Sequence, residues 1–125
     1  MSFRSILREL VENCSGGVGA ILMSSDGIPI DEYVAADRVP EGPLRDEFGT
    51  AGVEFGRILE EIRKAADALS AGTLEETVVS LANMVLVFRP VDEEIFLAVV
   101  VLPEGNLGKA RYLARRHLLE LRQEL

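Results

Sequence analysis

The sequence predicts an α/β domain with the element order α-β-β-α-β-β-β-α. Apolar residues at helical spacing mark the two ends and the middle of the chain, Asp26-Gly27 separates two short apolar runs, and Ile95 to Leu102 is apolar at every position. Asp-Gly is a strong hairpin signal because tight hairpin turns use left-handed dihedrals, which these two residues tolerate. A strand apolar on both faces has to be covered on both, so helices should flank a sheet. The short turns make its neighbouring strands largely antiparallel.

Each element has its own signal. Phe3, Ile6, Leu7, Leu10, Val11 and Cys14 follow the helical period, with Ser2 as N-cap and Gly16-Gly17 as the stop. Gly19 to Ser24 and Ile28 to Val34 are the arms of the hairpin. Pro29 lies in the second arm and places it at a sheet edge, because proline cannot donate to a ladder. Asp37 to Pro43 is a loop with two prolines and a glycine. A long helix is expected from about Leu44 to Leu69. Phe48, Phe55, Ile62 and Leu69 form a line along it, widened by Ala51, Ile58, Leu59, Ala65 and Ala66.

Glu75 to Leu81 and Met84 to Arg89 are two further strands joined around Ala82-Asn83, where asparagine tolerates a tight turn. A second turn, Pro90 to Glu93, leads into Ile95 to Leu102, the central strand. Asn106 caps the last helix, whose apolar positions are Leu107, Ala110, Leu113, Ala114, Leu118, Leu121 and Leu125.

The 125 residues suit a single domain over 1–125, large enough to bury roughly two-thirds of the unfolded surface. No apolar run approaches the roughly 20 residues of a membrane helix. The N-terminus lacks a signal-peptide pattern, and Cys14, as the only cysteine, has no disulfide partner. These features predict a cytoplasmic protein without a membrane role. The net charge of −8 argues against nucleic-acid binding, which needs a basic face. The charge is uneven. Leu107 to Leu125 carries five cations against two anions, a net +3, leaving −11 for the rest. One basic face and an acidic remainder suit protein partners.

No residues assemble an obvious catalytic centre. His117 is the only histidine and lies in a basic helix, which argues against a histidine-based triad or metal site and places it at the surface or its boundary. Cys14 falls on an apolar helix face as a small hydrophobe. Gly16-Gly17-Val18-Gly19 follows a helix and precedes a strand, the reverse of a phosphate cradle. The acidic groups Asp31-Glu32, Glu75-Glu76 and Asp92-Glu93-Glu94 lie at strand ends and turns, as solvated charges do. The expectation is a protein that is not an enzyme and that needs no metal and no cofactor.

Two features point to a partner. Thr77, Val78, Val79, Ser80 and Leu81 form an uncharged, proline-free strand, a hazard at a sheet edge unless something pairs with it. A symmetric strand from a second copy would do so. In the middle helix Gly49, Gly52 and Gly56 fall on one side, each costing roughly 1 kcal/mol relative to alanine. Close approach of a second subunit's helix would compensate, with Phe55 and Leu59 beside it. A helix that begins later, near Val53, is the alternative.

The chain resembles the roadblock (dynein-light-chain-related) family, which includes bacterial MglB-type proteins. The resemblance is carried by the strand Ile95 to Leu102, the Gly105-Asn106-Leu107-Gly108-Lys109-Ala110-Arg111 helix start with Leu113 and Arg115-Arg116 after it, the Asp26-Gly27 hairpin and the long middle helix. It implies a three-layer, profilin-like sandwich with a five-stranded sheet in order 2-1-5-4-3, the middle helix on one face and the terminal helices on the other. It also implies dimerisation through the third strand and the middle helix, and binding of Ras-like small GTPases. Some members activate GTP hydrolysis, MglB-type dimers without an inserted arginine. Others are non-catalytic adaptors, as dynein light chains are.

Overall fold

The computed structural model describes residues 2–39, 42 and 51–125. Among the described residues nine elements occur: α1 (Phe3–Glu12), β1 (Gly17–Ser24), β2 (Pro29–Val34), α2 (Ala51–Ala68), β3 (Thr77–Ser80), β4 (Val85–Pro90), β5 (Ile95–Val101), α3 (Leu107–Arg116) and α4 (Leu118–Glu124). The expected start of the middle helix at Leu44, with Phe48 and Gly49, lies outside the described residues.

The caps are those the sequence predicts. The Ser2 side chain accepts a hydrogen bond from the Ser5 N–H at 3.2 Å, and Asn106 Oδ1 accepts from the Lys109 N–H at 2.9 Å. Each satisfies an N–H that the first helical turn leaves unpaired. The first helix stops earlier than Gly16-Gly17, at Asn13, and Gly17 opens β1.

All strand pairs are antiparallel, in the order β2-β1-β5-β4-β3. β5, the strand apolar throughout, is at the centre. Pro29 opens β2 at one edge, where its missing N–H costs least. β3 forms the other edge and is trimmed to four residues from the expected Glu75–Leu81.

Alternation along the strands feeds two apolar layers. Ala20, Leu22, Val87, Leu97, Val99 and Val101 pack with Ile6, Leu7, Leu10 and Val11 of α1 and with Ala110, Leu113, Leu118 and Leu121 of α3 and α4. Ile21, Met23, Leu86, Phe88, Phe96, Ala98 and Val100 pack with Leu59, Phe55 and Ile62 of α2. Val18 shares the second layer although its parity matches Ala20, because the β1–β5 register shifts between Gly17 and Gly19. Such a shift turns the neighbouring side chains to the other face.

The last helix breaks in two at His117 (φ −87°, ψ 0°). His117 is buried, contrary to the surface or boundary position expected. Its spacing explains this: it lies three residues after Ala114 and four before Leu121, on the buried stripe of both helices. Its ring stays paired through Nδ1 to Glu120 Oε1 at 3.1 Å.

Candidate interaction surface at the third strand and the middle helix

β3 pairs with β4 in the register Thr77↔Phe88, Val78↔Val87, Val79↔Leu86 and Ser80↔Val85. The Leu81 N–H donates to the Met84 carbonyl at 2.8 Å, closing the turn. In an antiparallel ladder both backbone groups of a residue point to the same neighbour, and the direction alternates along the strand. Leu81, Val79 and Thr77 therefore turn their backbone groups toward β4. Those of Val78 and Ser80 point to the open edge. No charge, proline or bulge blunts that edge, which leaves its four-residue length as the one usual protection it has. Val78 (39% exposed) and Leu81 (46%) lie outside the core, while Val79 packs beneath α2.

The middle helix differs from the sequence reading. Gly52, Phe55, Gly56 and Leu59 all face their own chain. The Phe55 ring lies 5.1 Å from that of Phe88, and Leu59 is in the core. A Cβ on Gly52 would come within 2.6 Å of Met23 Sδ, and one on Gly56 within 3.1 Å of the Ser25 carbonyl oxygen and 3.2 Å of the Gly27 nitrogen. The backbone that these two glycines accommodate is the β1–β2 turn, and no second subunit is needed to account for them. Nor does α2 begin at Val53, since Ala51 and Gly52 are already helical. Gly49 is among the residues not described.

The outward side of α2 carries what the sequence reading merged into one broad stripe. Ala51, Ile58 (53% exposed) and Ala65 recur every seven residues on the exposed surface, and Leu69 (78% exposed) follows just past the helix end. At 100° per residue they flank the half-buried line of Phe55 and Ile62. The helix thus has a wider apolar sector than its own sheet covers. Arg57 and Arg63, the arginines of α2, are held by Glu54 and Glu60 one turn back, at 3.6 and 4.0 Å.

Before the start of β3, a cleft of about 860 Å³ opens between α2, the 72–75 segment, the β4–β5 turn and α3–α4. At the start of the strand Glu76 takes two arginines, Arg89 Nη1 at 3.1 Å and Arg111 Nη2 at 2.7 Å. This arrangement ties β3 to β4 and α3.

Among the described residues no three His, Cys, Asp or Glu side chains are grouped to hold a metal ion, and no helix is long and apolar enough to cross a membrane. Cys14 is buried with Sγ 3.5 Å from the Asn106 carbonyl. Burial pushes its thiol above the ordinary value, which disfavours the nucleophilic thiolate.

No protein-family sequence model matches the chain, and no curated protein matches it. Solved structures do. A Roadblock/LC7 domain from Streptomyces avermitilis superposes with a TM-score of 0.82 at 18% identity, covering 98% of this chain and 97% of that one. The gliding protein MglB from Thermus thermophilus superposes with a TM-score of 0.82 at 20% identity, covering 96% and 85%. At such identities the likeness shows the fold, a roadblock-type sandwich. MglC from Myxococcus xanthus is 34% identical over the full length of both chains, with a TM-score of 0.70. With that identity over the full length, the chain belongs to the roadblock-related family that includes the MglB and MglC gliding proteins.

Proposed function

We propose that the protein is a homodimeric interaction module that regulates a Ras-like small GTPase in the cytoplasm and has no catalytic centre of its own. The observation that carries this reading is the uncharged β3 edge, with the backbone groups of Val78 and Ser80 directed outward, together with the exposed apolar stripe of α2. A second copy pairing antiparallel at Val78 and Ser80 would extend the sheet across a two-fold axis and cover apolar surface that one chain leaves bare. Family membership supports a regulatory role, and a related MglB has been solved in a tetrameric arrangement.

The GTPase would dock on the paired middle helices and the adjoining sheet ends. Switch segments of such GTPases change with the nucleotide, so a binder touching them distinguishes the two states. The test is titration of the dimer with a Ras-like GTPase loaded with GTP or GDP. Tighter binding of the GTP form is expected, and equal affinity for both overturns the regulator reading. Any acceleration of hydrolysis should survive Arg57→Ala and Arg63→Ala within a few-fold at saturation, whereas loss of an arginine finger costs roughly 10³–10⁵ in rate. Pairing of both arginines to glutamates on their own helix also suits the alternative, an adaptor that holds partners together without affecting hydrolysis.

A further inference from the structure

We propose that the outward face of α3, centred on Tyr112, docks an acidic segment of a partner protein. Lys109, Tyr112, Arg115 and Arg116 lie three and four residues apart, on one side of the helix, and all are exposed. Tyr112 is 47% exposed, and Leu119, just beyond on α4, 62%. Lys109 Nζ sits 5.8 Å from the centre of the Tyr112 ring, and Arg116 Nη1 donates to the Tyr112 hydroxyl at 3.4 Å. The result is an aromatic platform edged by cations.

The pairing pattern sets this face apart. The chain holds 21 acidic side chains against 13 basic ones, so a cation has carboxylates in good supply. Arg4, Arg38, Arg57, Arg63, Lys64, Arg89 and Arg111 each have one within ion-pair distance. Among the described residues Lys109, Arg115 and Arg116 form no ion pair; Arg8 and Arg122 form none either, but Arg8 stands alone on α1 and Arg122 donates to the Val91 carbonyl. Tyr112 and the two arginines without a carboxylate, Arg115 and Arg116, are the residue types that dominate binding energy at protein interfaces. Arginine also takes carboxylates in a bidentate fashion.

Charge decides the kind of partner. Outside Leu107 to Leu125 the chain carries −11. A ten-residue helix is only about 15 Å long, and charges are screened over about 8 Å at physiological ionic strength. A membrane or a nucleic-acid duplex spreads far beyond such a patch and would meet the acidic remainder of the chain. A short acidic segment can stay within it. α3 packs on the opposite side of the sheet from α2, with Arg115 reaching the cleft that both helices border, and the inference does not depend on the dimer reading.

The probe is a fluorescein-labelled peptide of repeated Glu-Glu-Leu triplets, followed by anisotropy, with a Gln-Gln-Leu peptide as control. Binding of the acidic peptide is expected to weaken at least about tenfold, roughly 1.4 kcal/mol, in Arg115→Glu/Arg116→Glu and to weaken in Tyr112→Ala. Arg115→Lys/Arg116→Lys should retain most of it, and circular dichroism confirms that each variant is folded. The inference is overturned if the acidic peptide does not bind, if charge reversal leaves its affinity unchanged, or if the glutamine peptide binds equally well. Equally tight uptake of phosphatidylserine vesicles or duplex RNA overturns it too. So does self-association of the protein that the same charge reversal abolishes, because the occupant would then be a second copy.

Discussion

The backbone of Val53 in α2 occupies the space where a β-carbon on Gly27 of the β1–β2 turn would sit. Gly27 also has φ +83°, so an L-residue there meets both a strained conformation and a rigid neighbour. Gly72 shares the left-handed conformation (φ +94°) but has nothing within 4 Å of a built Cβ. Gly27→Ala should therefore cost roughly 2–4 kcal/mol, strain plus overpacking. Gly72→Ala should cost only the strain, about 1–2 kcal/mol. Urea denaturation of the two variants measures the difference. Equal losses would mean that the turn does not seat against the helix.

The same contact changes what the helix glycines predict. Leucine at Gly52 or Gly56 has to displace Met23 or the Ser25–Gly27 backbone, so both variants should lower the stability of the chain itself. Raised thermal stability with normal folding would contradict the inward orientation.

Much of this arrangement is legible in the sequence. Ser2 and Asn106 act as caps because their side chains can reach an N–H three residues on, a local requirement. Asp26-Gly27 and Pro29 likewise mark the turn and the edge by backbone chemistry alone. The partner of Gly52 and Gly56 is not legible, because it lies some thirty residues away and only the packed fold brings it near. His117 was hidden by its residue type, although the 114–117–121 spacing places it on the buried stripe. The exposed Ala51–Ile58–Ala65 stripe was hidden for a different reason. Periodicity shows how wide an apolar sector is but not how much of it the sheet covers.

A pH dependence follows from the contact between the Tyr33 hydroxyl and the Glu12 carboxylate. The hydrogen bond from Tyr33, with Arg38 nearby, holds Glu12 below its ordinary value of 4.5. A depressed carboxylate contributes stability that is present above its unfolded pKa and is lost as pH falls through the lower folded value. Tyr33→Phe should therefore melt lower than wild type at neutral pH, and the gap should shrink as pH falls below 4.5. Thermal melts across that range check it. A gap independent of pH would mean that Tyr33 acts only through packing.

Ile58 is 53% exposed on α2, so Ile58→Glu should leave the fold within about 0.5 kcal/mol of wild type. Buried in a dimer, the glutamate would be an uncompensated charge, and the dissociation constant should rise at least about tenfold. Sedimentation equilibrium measures both species. An unchanged constant would place the dimer contact elsewhere on the surface.

The most direct measurement is the light-scattering mass of wild type and Val78→Pro across micromolar concentrations. Val78 directs its N–H away from β4, so proline there removes a donor from the open edge and spares the β3–β4 ladder. Pairing of two β3 edges predicts twice the chain mass for wild type and a folded single chain for Val78→Pro. A wild type that stays at one chain mass throughout, or a Val78→Pro variant that keeps twice that mass, would contradict it.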